Sequence, residues 1–169
     1  MHGNLYLIST PIGNLEDLTF RAVKILGSVD IILAESVERT NKLLLHYNID
    51  AKVISFNKDN EKRKIKSVIA FLEDSKNIAL VSDAGTPCVS DPGFYLLSNL
   101  DREIKIIPIP GASSITCALS VSKIPMNGFT FLGFLPKKEN DRKNKLLQAY
   151  STELPLCIFE SKHLSLIHI

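Results

Sequence analysis

The segment NIALVSDAGTPCVSDPG, residues 77–93, joins an apolar run to a loop rich in aspartate, glycine and proline. The run IALVS is apolar on both faces, and so is the earlier run VDIILAE at residues 29–35. Strands of this kind occur in parallel sheets that helices cover on each side. The segment therefore predicts a parallel α/β sheet with an elaborate loop at the end of one strand.

A short apolar run followed by an amphipathic pattern recurs along the chain up to residue 123. Predicted strands cover residues 4–9, 29–35, 52–55, 77–82 and 103–108. Predicted helices cover residues 18–26, 38–47, 60–74 and 93–100, and a further helix starts near Ser113. This series predicts a doubly wound α/β domain over residues 1–123.

Residues 124–169 are organised differently. The sequence KIPMNG indicates a linker, and FTFLGFL and LPLCIFE predict two strands with a polar helix over residues 141–150 between them. So few elements bury little surface by themselves. We expect the start of a smaller α/β C-terminal domain, truncated at Ile169.

Composition excludes several classes of protein. The chain has 169 residues, of which 45% are hydrophobic and 22% charged, as in ordinary globular proteins. No apolar run approaches the roughly 20 residues that span a bilayer, and the N-terminus lacks the basic and apolar regions of a secretory signal. The three cysteines and four histidines show no ligand spacing. We therefore expect a cytoplasmic protein with no membrane association and no metal site.

Three loops follow predicted strands, where doubly wound sheets bind their ligands. In STPIGNLED, Gly13 permits close backbone approach and Asn14 adds a polar group, while Asp17 is a candidate cap for the next helix. In PIPGASS, Gly111 and Ser113 precede a helix and suit a carboxylate or a ribose, although this segment taken alone is better explained by a tight turn that Ser113 caps.

The loop SDAGTPCVSDPG is more elaborate than a turn requires. The carboxylate of Asp83 suits ribose hydroxyls or an ammonium group, and Gly85 and Thr86 offer hydrogen-bond donors. A binding loop is the preferred interpretation. The alternative, which is compatible with it, is a turn in which Asp91 caps the following helix.

A basic stretch, PKKENDRKNK, lies at residues 136–145. Residues 1–123 hold 14 Lys and Arg against 14 Asp and Glu, and residues 124–169 hold 6 against 4, so the net charge of +2 comes from the second segment. A solvated helix face explains such a run, and so does contact with phosphates. Lys137 and Lys138 are the candidate phosphate ligands.

In this order, TPIGNLED, SDAGTPxxSDPG, PGAS and GFLPKK resemble the ribosomal RNA 2′-O-methyltransferases that modify a cytidine of small-subunit rRNA, within the tetrapyrrole methylase superfamily. The resemblance runs from Leu5 to about Glu160. It implies S-adenosylmethionine as cofactor, bound between an N-terminal and a C-terminal α/β domain. It also implies ribosomal RNA of the small subunit as substrate and a homodimer.

The resemblance assigns roles to individual residues. Gly13 and Asn14 match the loop that faces the acceptor. The segments that contact the cofactor match Asp83, Ala84, Gly85, Thr86, Gly111, Ala112 and Ser113.

Two segments depart from the family pattern. Where the family reads AEDTR, residues 34–38 read AESVE, so that Glu38 occupies the arginine position. Where the family reads YESPHR, residues 159–164 read FESKHL. A negative charge at position 38 is unfavourable for phosphate contact.

Methyl transfer from a sulfonium mainly requires alignment with the acceptor oxygen, and a general base assists by removing the hydroxyl proton. Glu35 and Asp17, each at or after a strand's carboxyl end, are the candidates, and both also have structural explanations. The predicted function is methylation of a cytidine ribose in small-subunit rRNA. The alternatives are methylation of a tetrapyrrole or another small acceptor, and an inactive, truncated relative.

Overall fold

The structure, a computed structural model, describes residues 2–161. Contacts divide the chain into two compact units, residues 1–114 and 115–169, which we describe separately as unit 1 and unit 2. The domain boundary after residue 123 stays a prediction. Lys162, His163 and Leu164, which carry part of the expected departure from the family pattern, lie outside the described residues.

Unit 1 alternates strands and helices as the sequence predicts. Its elements are β1 (Leu5–Ile8), α1 (Phe20–Leu26), β2 (Ile31–Ala34), α2 (Val37–His46), β3 (Val53–Ser55), α3 (Glu61–Glu73), β4 (Ile78–Val81), α4 (Phe94–Ser98) and β5 (Ile106–Ile109). The strands form one parallel sheet in the order β3-β2-β4-β1-β5. The expected α/β class with a parallel sheet is confirmed.

Two apolar clusters cover the faces of this sheet. In one, Leu33 and Leu80 pack with side chains from α3 and α4, such as Leu72 and Leu96. In the other, Ile32 and Val81 pack with α1 and α2. Every residue of β2 and β4 is buried, which explains why both strands are apolar at consecutive positions. The doubly wound arrangement places the loops after all five strands at one edge.

The helix after β1 begins later than the sequence predicts. Residues Leu15–Asp17 form a single 3₁₀ turn, and Leu18 is extended and buried, so α1 starts at Phe20. The side chain of Thr19 accepts a hydrogen bond from the backbone N–H of Ala22 at 3.1 Å. Thr19 is therefore the N-cap, and the expected capping of this helix by Asp17 is wrong.

Unit 2 contains a strand–helix–strand segment. Its elements are α5 (Ser114–Val121), which starts at the boundary, β6 (Thr130–Phe134), α6 (Glu139–Tyr150) and β7 (Leu156–Phe159). The two strands pair in parallel, with an irregularity between Phe131 and Gly133. Among its described residues only Gly133 and Ala149 are buried. No helix in residues 2–161 combines the length and apolar character needed to cross a membrane.

Candidate functional site

Three of the loops at the carboxyl edge of unit 1 meet at the end of β1. Thr10 and Gly85 exchange two backbone hydrogen bonds, with N···O distances of 2.9 and 3.0 Å. The N–H of Ser9 donates to the carbonyl of Ile109 at 3.2 Å. Ser9 and Thr10 therefore connect the loop after β4 to the end of β5.

Hydroxyl groups complete this junction. Ser9 Oγ and Thr86 Oγ1 lie 3.0 Å apart, and Thr10 Oγ1 donates to the carbonyl of Ser82 at 3.1 Å. Ser82 Oγ donates to the carbonyl of Gly85 at 3.2 Å. Because Ser9, Thr10 and Ser82 are buried, these bonds hold the turn after β4 in one conformation.

Two glycines permit the close approach of these loops. Gly85 has a φ of 83°, a left-handed conformation that glycine adopts without strain. A Cβ at Gly111 would lie only 2.9 Å from the Cβ of Ser9, so the loop after β5 can pass this closely only with glycine. A Cβ at Gly85 would lie 3.9 Å from the carbonyl oxygen of Ala112. The predicted cofactor segments 83–86 and 111–113 are thus brought together.

The second half of the loop after β4 is held by α3 and the turn before it. Cys88 and Ser90 have φ values of 69° and 67°, and Lys58 Nζ donates to the carbonyl of Ser90 at 3.0 Å. Burial, Glu61 and Asp91 raise the pKa of the Cys88 thiol to about 11, so it stays protonated at neutral pH.

Glu61, a buried carboxylate of α3, holds the start of α4. Its Oε1 accepts hydrogen bonds from the backbone N–H groups of Gly93 and Leu96 at 3.2 and 3.0 Å. The N-cap of α4 is Gly93, which has no side chain that could accept a hydrogen bond from these N–H groups. The expectation that Asp91 caps this helix is therefore wrong, because Glu61 from another element accepts from these donors.

Carboxylates accumulate where β2 and β4 end. The backbone N–H of Asp83 points to Glu35 Oε2 at 3.4 Å. Burial, followed by the negative charges of Glu35 and Asp83, raises the pKa of Asp91 to about 6, and the positive charge of Lys58 opposes this shift. The site is therefore acidic, and part of this charge is removed when Asp91 takes up a proton near pH 6.

Arg39 supplies a positive charge to this acidic site. Its Nη1 donates to Asp83 Oδ2 at 2.9 Å. The neighbouring Glu38, which occupies the arginine position of the family pattern, pairs with Lys42 at 2.8 Å along α2. The hydrogen bond from Lys42 lowers the pKa of Glu38. The guanidinium at the site thus comes from position 39, one residue after the position that the family pattern indicates.

The second carboxylate oxygen of Asp83 has no hydrogen-bond partner among residues 2–161. Asp83 Oδ1 is buried and makes no hydrogen bond to any described residue. Asp83 also lines a pocket of about 190 Å³, together with Thr10, Pro11, Leu15, Arg39, Thr40, Lys42, Leu43 and Ser82. A buried oxygen of this kind is costly unless a ligand donor or water satisfies it. The residues therefore fit a ligand that offers a hydroxyl or an ammonium group.

The other predicted site residues lie in different surroundings. Glu35 is next to Asp83, but Asp17 is exposed and faces a separate groove with Phe20, His46 and Tyr47. Asn14 uses its side chain to accept from the N–H of Glu16 within the 3₁₀ turn. The structure thus brings Glu35 to the site, and gives Asn14 a local structural role.

Gly13 and the two predicted phosphate ligands are exposed. Space is open around Gly13, where an added Cβ meets no atom within 4 Å. In unit 2, Lys137 and Lys138 lie directly before α6. Two other cations of the basic stretch bind backbone carbonyls. The side chain of Arg142 donates to the carbonyl of Lys137, and the side chain of Lys145 donates to the carbonyl of Leu132. The exposed lysines remain available to a partner in solution.

Sequence reasoning missed Ser9, Thr10 and Arg39. Ser9 and Thr10 follow an apolar strand directly, which is a usable signal in a doubly wound fold. Arg39 had no signal of its own, because its partner Asp83 is 44 positions away. Within residues 2–161 no group of three or more metal-binding side chains occurs, and the three cysteines are free thiols.

Comparison with known proteins finds one family profile and several similar methyltransferases. The sequence profile of the Tetrapyrrole (Corrin/Porphyrin) Methylases matches residues 4–168. A Buchnera aphidicola (subsp. Baizongia pistaciae) protein named Ribosomal RNA small subunit methyltransferase I is 47% identical over 162 residues, which cover 95% of this chain and 56% of that protein. A Thermotoga maritima protein of the same name is 45% identical, over 93% of this chain and 70% of that protein. The chain thus spans little more than half of the Buchnera relative.

Solved structures share the fold at low sequence identity. A crystal structure of diphthine synthase matches with a TM-score of 0.75 and 14% identity, over 95% of this chain and 65% of that one. The uroporphyrin-III-C-methyltransferase from Thermus thermophilus matches with a TM-score of 0.61 and 23% identity, over 79% of this chain and 61% of that one. Both matches support the architecture described above.

Proposed function

The chain belongs to the tetrapyrrole (corrin/porphyrin) methylases, and we propose that it is an S-adenosylmethionine-dependent methyltransferase acting on the ribose 2′-hydroxyl of a cytidine in small-subunit rRNA. The observation that carries the cofactor assignment is the buried Oδ1 of Asp83, which has no partner among the described residues and belongs to a residue that lines a pocket. The names of relatives at 45 and 47% identity support RNA as the substrate rather than a tetrapyrrole.

Unit 1 would hold the cofactor through the loops after β4 and β5. Asp83 would accept from a ribose hydroxyl or the ammonium group, and the backbone of Gly85 and Gly111 permits close approach. Thr86 and Ser113 would add hydroxyl donors next to Ala84 and Ala112. When bound, the cofactor supplies a methyl group that its sulfonium already activates.

Glu35 is the proposed general base. Its carboxylate lies at the end of β2, beside the loop that would hold the cofactor, and it already accepts from the N–H of Asp83. Its second oxygen would take the proton from the ribose hydroxyl. Asp17 is the weaker candidate because it faces a different groove.

RNA would contact exposed polar and basic residues. Gly13 and Asn14 lie in the exposed loop after β1, and Lys137 and Lys138 are exposed at the start of α6. Lysines in such positions bind phosphates and orient the substrate without selecting its sequence. We also propose a cytoplasmic homodimer. The dimer is supported by α5, none of whose eight residues is buried.

Calorimetry with S-adenosylmethionine tests the cofactor site. We expect Asp83→Ala to weaken binding at least about tenfold, because the charged acceptor is lost. Gly111→Ala should weaken binding too, since its Cβ would displace the loop from Ser9. Exposed Lys66→Ala on α3 is the control. Unchanged affinity in both site variants would contradict the assignment.

Methyl transfer tests the substrate. The protein is incubated with labelled cofactor and small ribosomal subunits that lack methylation, and the RNA is digested to nucleosides. We expect label on the ribose of one cytidine and its loss in Glu35→Gln. Label on a base, or transfer to a precorrin with none to RNA, would reject the proposal.

A further inference from the structure

We infer that Arg39 is a positioning residue that fixes the carboxylate of Asp83 and thereby sets the affinity of the pocket for the cofactor, an inference that rests on the proposed function. Arg39 lies in the first turn of α2, where its backbone N–H donates to the side chain of the N-cap Ser36 at 3.4 Å. Its guanidinium reaches Asp83 Oδ2 at 2.9 Å. Arg39 thus links α2 to the loop after β4.

The two oxygens of Asp83 have different surroundings. Oδ2 is held by Arg39, while Oδ1 is buried and unpartnered among the described residues. Fixing one oxygen of a planar carboxylate also fixes the direction of the other. Arg39 therefore holds the Asp83 carboxylate in one rotamer at the pocket that both residues line, which a free aspartate would adopt only part of the time.

Charge gives a second reason for this role. Glu35 and Asp91 add negative charge close to Asp83, and the positive charge of Lys58 offsets only part of this effect on Asp91. Repulsion among these carboxylates favours rotation of Asp83 towards solvent, because its side chain is already 24% exposed. The Arg39 guanidinium opposes that rotation.

The other cations near the pocket cannot replace Arg39. Lys42 lines the same pocket, but its Nζ is paired with Glu38 at 2.8 Å. Lys58 is bound to the carbonyl of Ser90 at 3.0 Å. Among the described residues, Arg39 is the cationic side chain that contacts Asp83, and it is 68% exposed. Its high exposure means that replacing it should leave the core of unit 1 intact.

Three variants test the role by calorimetry with S-adenosylmethionine. Arg39→Ala should weaken binding about tenfold, through loss of one charge-assisted hydrogen bond. Arg39→Lys should restore affinity to within about threefold of the parent, because the observed contact uses a single donor. Arg63→Ala, which removes an exposed arginine of α3, is the matched control and should change nothing.

A double-mutant cycle with Asp83→Asn separates this inference from the proposed function. If Arg39 acts through Asp83, then Arg39→Ala should weaken binding less than about twofold further in the Asp83→Asn background. Unchanged binding of S-adenosylmethionine by Asp83→Asn would contradict the proposal that Asp83 binds the cofactor. Weak binding in Asp83→Asn with normal binding in Arg39→Ala would overturn only the role of Arg39.

Kinetics distinguish positioning from direct RNA contact. We expect Arg39→Ala to raise the apparent KM for the cofactor while the KM for ribosomal subunits stays unchanged. A raised KM for the subunits alone would show that Arg39 binds RNA phosphate and would overturn the inference. Failure of Arg39→Lys to rescue the cofactor KM would also overturn it, because a retained positive charge with a donor should suffice.

Discussion

Unit 1 and unit 2 use the same strand–helix–strand pattern but differ greatly in burial. In unit 1 the strands β2 and β4 are buried at every position, between helices on both faces. In unit 2 the strands β6 and β7 are mostly half-buried, and each has one edge without a paired strand among the described residues. The burial of an apolar strand thus depends on how many strands and helices pack against it. The local sequence pattern alone does not determine that number.

A matched pair of isoleucines measures this difference directly. Ile78 in β4 is fully buried, whereas Ile158 in β7 is half-buried. We expect Ile78→Ala to lower the free energy of unfolding by about 4 kcal/mol and Ile158→Ala by about 1 kcal/mol, because the cavity term applies only in the packed core. Urea unfolding followed by circular dichroism gives both values. Equal losses would show that the two strands are packed equally well.

Amide hydrogen exchange tests the same difference without mutation. Amides of β4 lie between two paired strands, and those of β7 pair with one described strand. We expect the amides of β4 to exchange at least about 100-fold more slowly than those of β7, because opening β4 requires unfolding of the sheet. The measurement is made on a demonstrated monomer, since a dimer partner could protect β7. Equal protection there would contradict the comparison.

The sequence predicts the elements of both units well, because alternation of apolar runs is a local property. The strands from β1 to β7 all lie within predicted segments or overlap them, and the structure confirms the parallel sheet. The helix after β1 was less predictable. Asp17 and Thr19 are both good caps by residue type, and only the 3₁₀ turn and the burial of Leu18 favour Thr19.

The candidate site was predicted in part. The loops 83–86 and 111–113 carry small and acidic residues after strands, so their convergence follows from the fold class. The partners that order them do not. The Glu61 bonds to Gly93 and Leu96, and the Arg39 bond to Asp83, join residues more than 30 positions apart. Such pairs depend on the packing of whole helices, which no local pattern specifies.

The acidic site should make the stability of unit 1 depend on pH. The pKa of Asp91 is raised to about 6, so the folded state binds more protons than the unfolded state between about pH 4 and 6. The contribution of protonated Asp91 to the free energy of unfolding is present at low pH and is lost as the pH rises through 6. Asp91→Asn should therefore raise the Tm at pH 8 by about 3 °C and leave it unchanged at pH 4.

This shift is small because Asp91 is only half-buried, and solvent screening reduces the effect to about 1 kcal/mol. Glu160→Gln, which removes one negative charge from an exposed position of unit 2, is the control for the change in net charge. Calorimetric melting at the two pH values separates the outcomes. A gain at pH 4 as large as that at pH 8 would rule out titration of Asp91 as the cause.

The exposed lysines of unit 2 should contribute to RNA binding and not to stability. Lys137 and Lys138 are exposed, so replacing both with alanine should change the free energy of unfolding by less than about 0.5 kcal/mol. If each lysine contacts one phosphate, the double variant should bind RNA a few-fold more weakly, and its salt dependence should fall by about 1.4 units of log K per log salt.

The control for this last change removes two equally exposed charges from α3 of unit 1, in Arg63→Ala with Lys66→Ala. Both double variants lower the net charge by the same amount, so long-range attraction to RNA falls equally in both. If Lys137 and Lys138 contact phosphates directly, the slope of log K against log salt is shallower for their double variant than for the control variant. Filter binding to a small-subunit rRNA fragment at several salt concentrations measures the slopes, and equal slopes would mean that unit 2 attracts RNA only through its general charge.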